Sequence, residues 1–243
     1  GLDEGIISQK RLDEAVTRIL ALKAALHLPE KKADGSIVPK LSEAMKVLGC
    51  EEHVEWAKQC ADKAVTLVKE EEGVLPITPD TYKKVLYYDI ESAQGYAYTV
   101  REGVADKFYE MLTQQGFDVD RFKPDKTIEG MVQPYSEVTD KYDLIIYLAN
   151  MGTKSNQTIV RIEWALPMGA NVPVFMTSVP TIFISVENPY HLIDVPRVRT
   201  FINTYASTDI VLEALMDKLM GRSEFKGTSP VDAFCGMWDT RLS

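Results

Sequence analysis

The sequence predicts an α/β fold, an α/β/α sandwich around a mostly parallel sheet, preceded by a separate amphipathic helix. Three observations predict it. Residues 143–149 (Asp-Leu-Ile-Ile-Tyr-Leu-Ala) and 181–187 (Thr-Ile-Phe-Ile-Ser-Val-Glu) are almost continuously apolar, as strands covered on both faces are. Helical periodicity recurs between and after such runs. That alternation implies right-handed crossovers and helices on both faces of the sheet. Residues 11–28 place Leu12, Val16, Ile19, Leu22 and Leu26 on one helical face, with Ser8 available as a cap.

The elements follow in chain order. After the first helix, residues 29–41 contain Pro29, Lys31-Lys32, Asp34-Gly35 and Pro39 and read as an exposed connector. Residues 42–48 and 51–63 read as helices, and 64–69 (Ala-Val-Thr-Leu-Val-Lys) shifts to a strand-like run. Residues 84–90 (Lys-Val-Leu-Tyr-Tyr-Asp-Ile) form a strand rich in branched and aromatic residues. Residues 103–115 are a helix with Val104, Phe108, Met111 and Leu112 on one side, stopped by Gly116. A short strand fits 117–122, and another fits 199–205. Residues 209–220 form a helix carrying Val211, Leu212, Leu215 and Leu219, ended by Gly221. The aromatic tail from 225 to 243 reads as irregular chain packed across the surface.

The totals exclude several classes of function. A net charge of −9 argues against nucleic acid and anionic membrane as partners, because both need basic patches. No apolar run approaches the roughly 20 residues of a membrane helix. Three cysteines cannot all pair within one chain, which favours a reducing, cytoplasmic compartment. The triplet Asn156-Gln157-Thr158 fits a glycosylation sequon, but such triplets arise often by chance. No phosphate-binding glycine motif and no Gly-x-Ser-x-Gly occurs, so no cofactor is implied. The three histidines, His27, His53 and His191, lack metal-ligand spacing.

Several segments resemble one family in order and spacing. The first helix, Arg11-Leu-Asp-Glu-Ala-Val-Thr-Arg-Ile-Leu-Ala-Leu-Lys23, resembles the helix that closes the catalytic barrel of glycoside hydrolase family 3. Ala61-x-x-Ala-Val-Thr-Leu-Val-Lys69 followed by Leu75-Pro-Ile77 resembles the entry to that family's second domain. Ser185-Val-Glu-Asn-Pro-Tyr-His-Leu-Ile-Asp-Val-Pro196 resembles the strand and loop late in it. Phe201-x-x-x-Tyr205, Leu219-x-Gly221 and Phe225-x-Gly227-x-Ser-Pro230 resemble its last strand, helix and tail. The bacterial members with such endings look like β-N-acetylglucosaminidases.

The resemblance implies three parts. Residues 1–28 would be the terminal helix of a barrel domain that is not in this chain, of the (β/α)8 type. Residues 29–59 would be linker and helices, and 60–243 the C-terminal α/β sandwich with an irregular tail. The partner implied is the N-terminal catalytic barrel of the same parent chain, with a carbohydrate substrate bound through it. The family's nucleophile lies in a Ser-Asp-x motif of the barrel. Its N-acetylglucosaminidase branch has an Asp-His pair near Lys-His-Phe-Pro-Gly-His. Neither motif occurs here, so no catalytic residue carries over and the chain alone is expected to be inactive.

Two loops remain as substrate- or barrel-facing candidates. Residues 150–158 and 187–191 follow the two long apolar strands, and open α/β sheets take ligands beyond strand carboxyl ends. They supply Asn156, Asn188 and His191, and Arg161 stands just after the first of them. Arg161 could reach a sugar or a barrel carboxylate, or could be a solvated surface residue. Asn188 could instead fix the turn before Pro189. The other reading of the whole chain is a free-standing flavodoxin-like module for a small ligand or a protein.

Overall fold

A computed structural model describes residues 1–71, 73–91, 103–123, 135–152, 161, 162, 164, 169 and 171–236. The chain separates into two compact units, residues 1–54 and 55–243.

The first unit is helical: α1 (Gln9–Ala25), α2 (Leu28–Asp34), α3 (Leu41–Val47) and the first turn of α4 (Glu51–Ala64). Ser8 caps α1 as the sequence suggests, its Oγ accepting from the Arg11 backbone N–H at 3.2 Å. The expected connector at 29–41 differs, because α2 occupies its first six residues. Pro29 sits in the first turn, where its missing N–H costs nothing, and Gly35 closes the helix in the left-handed conformation. No residue of α1, α2 or α3 is buried.

The second unit is a six-stranded sheet between two layers. Its strands are β1 (Thr66–Glu70), β2 (Lys84–Glu91), β3 (Asp118–Arg121), β4 (Leu144–Asn150), β5 (Thr181–Val186) and β6 (Thr200–Asn203), in the spatial order β1-β6-β5-β4-β2-β3. All neighbours are parallel except β1, which runs antiparallel to β6 at one edge. β4, β5 and β6 are buried at every residue, so their apolar runs do report strands covered on both faces.

The two layers differ. One is made by Ala61 of α4, by α5 (Val104–Gln114) and by α7 (Asp209–Leu219), packed on Val85, Tyr87, Ile146, Leu148, Ile184 and Ile202. The other is largely irregular. Val138 of α6 (Tyr135–Thr139), Ile162, Phe175, Val179, Leu192, Val195 and Val198 cover the opposite sheet face.

That second face carries an aromatic ladder. Tyr88, Tyr147, Phe183 and Phe201 are paired in register on β2, β4, β5 and β6. Their rings stack in turn with centroids 4.4, 5.7 and 5.5 Å apart. Parallel in-register strands force like positions side by side, and flat rings fill that row with little loss of rotamer freedom. Burial pushes the Tyr88 hydroxyl up to about 12 and the Tyr147 hydroxyl well above its usual range, so both stay neutral.

Candidate functional site

The candidate site is the carboxyl edge of the parallel strands. Asn150 at the end of β4 is in register with Val186 at the end of β5, so the chain leaves both strands on the same side. β2 leads to α5 on one face, and β4 leads into the irregular layer on the other. The adjacent ends of β2 and β4 are therefore the switch point where such sheets take ligands. The connections there, residues 92–102 and 153–160, lie outside the described residues, and Asn156 with them.

The structure places Asn188 and His191 together. Both are buried, in the turn after β5. Glu187 opens that turn in the left-handed region at φ 67°. Ser185 Oγ donates to the Asn188 carbonyl at 2.5 Å, so toward His191 Nδ1, at 2.7 Å, it can only accept. Nδ1 therefore carries the proton, and Nε2 accepts from Asn188 Nδ2 at 2.8 Å. Asn188 Oδ1 in turn accepts from the Tyr190 backbone N–H at 2.9 Å, an Asx turn. Every polar atom of the imidazole and the carboxamide is used to hold the turn. Burial lowers the His191 pKa to about 4, so the ring is neutral at pH 7.

Arg161 is brought to the same connection. Its Nε donates to Asp194, and the Ile162 backbone N–H donates to the other oxygen of that carboxylate at 2.9 Å. Sequence reasoning missed Asp194 and Ser185. Asp194 stood in the quoted Asn-Pro-Tyr segment, but a lone acid there gives no sign of what it will bind 33 residues upstream.

Elsewhere several acidic groups are engaged by cations. At the ends of β2 and β3, Arg121 holds Asp89 through Nε at 3.2 Å and a terminal nitrogen at 2.7 Å, and it also binds Asp106 of α5. Lys141 and Tyr142 bind Asp120, and the Lys141 bond holds that carboxylate down to about 2. Among the described residues, no group of three or more His, Cys, Asp or Glu is placed to hold a metal ion. No helix among them is long and apolar enough to cross a membrane.

No family model matches the chain. A β-N-acetylglucosaminidase/β-glucosidase of Cellulomonas fimi is 53% identical over 247 residues, covering all of this chain and 42% of that protein. The solved β-glucoside phosphorylase BglX superimposes with a TM-score of 0.74 at 40% identity, over 99% of this chain and 42% of that one. A glycoside hydrolase family 3 β-N-acetylglucosaminidase from Paenibacillus sp. FPU-7 shares the fold at TM-score 0.51 and 22% identity, over 96% of this chain and 41% of that one. Over its whole length the chain is similar to part of these enzymes, its α/β fold is shared with the C-terminal domain of solved glycoside hydrolase family 3 structures, and it spans about two fifths of the length of the relatives it matches.

The packing brings together segments quoted above for the family 3 resemblance. Leu75-Pro-Ile77 and Leu219-x-Gly221 meet: the Ile77 backbone N–H donates to the Leu219 carbonyl at 2.8 Å. Gly221 has φ +73°, and a Cβ there would come within 2.9 Å of Pro76. Gly227 lies against β1, where a Cβ would collide with Thr66 Oγ1 and the Ala64 carbonyl. Segments distant in sequence are thus tied by contacts that admit only glycine on one side.

Proposed function

We propose that this chain is the non-catalytic C-terminal domain of a glycosidase that hydrolyses terminal β-linked N-acetylhexosamine, and that it buttresses the enzyme's N-terminal catalytic barrel. The observation that carries the reading is the alignment of the whole chain, at 53% identity, with 42% of a β-N-acetylglucosaminidase/β-glucosidase. A retaining glycosidase needs two carboxyl groups about 5 Å apart, one acting as nucleophile and the other as an acid of raised pKa. Among the described residues the carboxyl groups with a resolved shift, Asp34, Asp62 and Asp120, all move down, away from what a general acid requires. The chemistry then belongs to the rest of the enzyme. Arg161 and the loop that carries Asn156 are the parts of this chain that would face it.

The test is an assay of the complete enzyme and of this chain alone on 4-nitrophenyl N-acetyl-β-glucosaminide and the matching glucoside. The complete enzyme should cleave the N-acetylated substrate. Turnover on the order of 1 per second by this chain alone would overturn the non-catalytic reading. A second reading rests on the 40% identity to a structure named β-glucoside phosphorylase. In that case the bond would be broken by phosphate rather than water. Adding inorganic phosphate separates the two, because phosphorolysis releases a sugar 1-phosphate and hydrolysis a free sugar.

A further inference from the structure

The chain that leaves β4 re-enters the described structure at Arg161, and there it is clamped. Asp194, with only 5% of its side chain exposed, accepts from Arg161 Nε and from the Ile162 N–H, whereas the Arg161 side chain is 55% exposed. One nearly buried carboxylate is thus satisfied by two consecutive donors. The clamp takes a single edge of the guanidinium. Among the described residues, the two terminal nitrogens have no hydrogen bond of their own, and the side chain is largely exposed.

A free surface arginine would lose most of its rotamer freedom on binding anything. Arg161 has already lost it, and the fork it presents matches a carboxylate, which a guanidinium binds through two parallel N–H bonds. Its position adds to this. Both partners of the clamp lie in connections that leave the carboxyl ends of adjacent parallel strands. Arg197, exposed and without an ion pair among the described residues, follows Asp194 by three residues. It adds positive charge to this patch of a chain whose net charge is −9. The alternative is a clamp that only ties two loops together and leaves a solvated arginine.

We propose that Asp194 is a positioning residue that holds Arg161 as a fixed fork for a carboxylate on the N-terminal part of the same enzyme. The proposal rests on reading this chain as the C-terminal domain of a larger enzyme. Asp194 touches no substrate in it and acts only through Arg161.

The complete enzyme tests it, with Arg161→Lys, Arg161→Ala and Asp194→Asn. Arg161→Lys keeps the charge and loses the fork. It should lower kcat/KM roughly tenfold at low ionic strength. It should also split a single cooperative thermal transition of the enzyme into two. Both differences should shrink toward wild type near about 0.5 M salt, where the wild-type pair is screened as well. Arg161→Ala should do the same more strongly, and Asp194→Asn in the same direction. In this chain alone Arg161→Lys should leave Tm unchanged. A loop-tying role would appear instead as a Tm loss in this chain and a salt-independent defect. That result overturns the proposal, and so does wild-type behaviour of Arg161→Lys in both kinetics and thermal coupling. An enzyme with no activity on either glycoside would overturn the functional reading alone, since the calorimetric coupling is measured without substrate.

Discussion

Helices α1 and α7 carry similar apolar spacing and meet opposite fates. α7 buries Val211, Leu212, Ala214, Leu215, Met216 and Leu219 against the sheet. α1 buries nothing, and its Leu12, Val16, Ile19, Leu22 and Leu26 are between 37% and 62% exposed. An apolar stripe at helical period states that a helix needs a partner. It does not state that the partner is in the same chain. The sheet unit supplies its own partners, whereas among the described residues α1, α2 and α3 bury none of their residues.

The largest effect is expected in the aromatic ladder. Phe183 is fully buried and stacked between Tyr147 and Phe201. Phe183→Ala should cost about 3–5 kcal/mol, because it removes a ring and leaves a cavity in a row that cannot collapse without breaking strand register. Urea unfolding of the α/β unit measures it. A midpoint close to wild type would show that the sheet tolerates the hole, and that the two units differ less than burial indicates.

Next comes a pH effect confined to the same unit. The buried His191 has a pKa near 4, against an ordinary histidine value of 6.5. Below pH 6.5 the unfolded chain therefore takes up a proton that the folded chain refuses. Stability from this residue is complete above 6.5, declines as the pH falls from 6.5 to 4, and has no further to fall below that. The full loss is about 3 kcal/mol. Protonation would also set Nε2–H against the Asn188 Nδ2 donor, which cannot turn away without releasing Tyr190 N–H. In a His191→Gln variant, compared with wild type at pH 7 and pH 4.5, this part of the acid sensitivity should be absent. An unchanged slope would remove His191 as its cause.

What was legible in the sequence follows from the same contrast. β4 and β5 were plain because a strand buried on both faces needs no alternation, and 144–150 shows none. The antiparallel placement of β1 was not legible, since pairing direction leaves no trace in a five-residue run. Nor was the ladder, because Tyr88, Tyr147, Phe183 and Phe201 become neighbours only through register. At the candidate edge, Asn188 and His191 were visible as polar residues after a strand. That they are buried and bonded to each other was not, because a sequence shows residue type and not which way a side chain turns. α2 was hidden by its own punctuation: Pro29 and Gly35 read as breaks, but they stand at the two ends of a short helix.

A smaller effect should appear at Lys218, on the buried side of α7. Its Nζ, fully covered, donates to Asp62 Oδ1 at 3.0 Å, Ser223 Oγ at 3.2 Å and the Glu224 carbonyl at 2.7 Å. Lys218→Ala strips three acceptors of their donor. Asp62 keeps access to water because 39% of its side chain is exposed, so the loss should be about 2 kcal/mol rather than that of a stranded buried charge. Hydrogen exchange should quicken over residues 55–64, which hold Asp62, and stay as it was over 1–50. Faster exchange in both segments would mean that the two units unfold as one.

The smallest effect belongs to α1, and its smallness is the point. Ile19 is 55% exposed, and isoleucine and serine have similar helix propensity. In this chain Ile19→Ser should change stability by less than about 0.5 kcal/mol. The amides of α1 should also exchange faster than those of β4, where every residue is buried. In the complete enzyme the same substitution should cost about 1.5–3 kcal/mol, the transfer free energy of a large aliphatic side chain buried against a partner. The measurement is paired: one substitution, two chain lengths, and the difference between the two losses. Near-zero loss in both would leave the apolar stripe without a partner and undo the reading of α1 as a barrel helix. A large loss in this chain alone would show that the stripe already has a partner within it, and the contrast between α1 and α7 would then be one of degree.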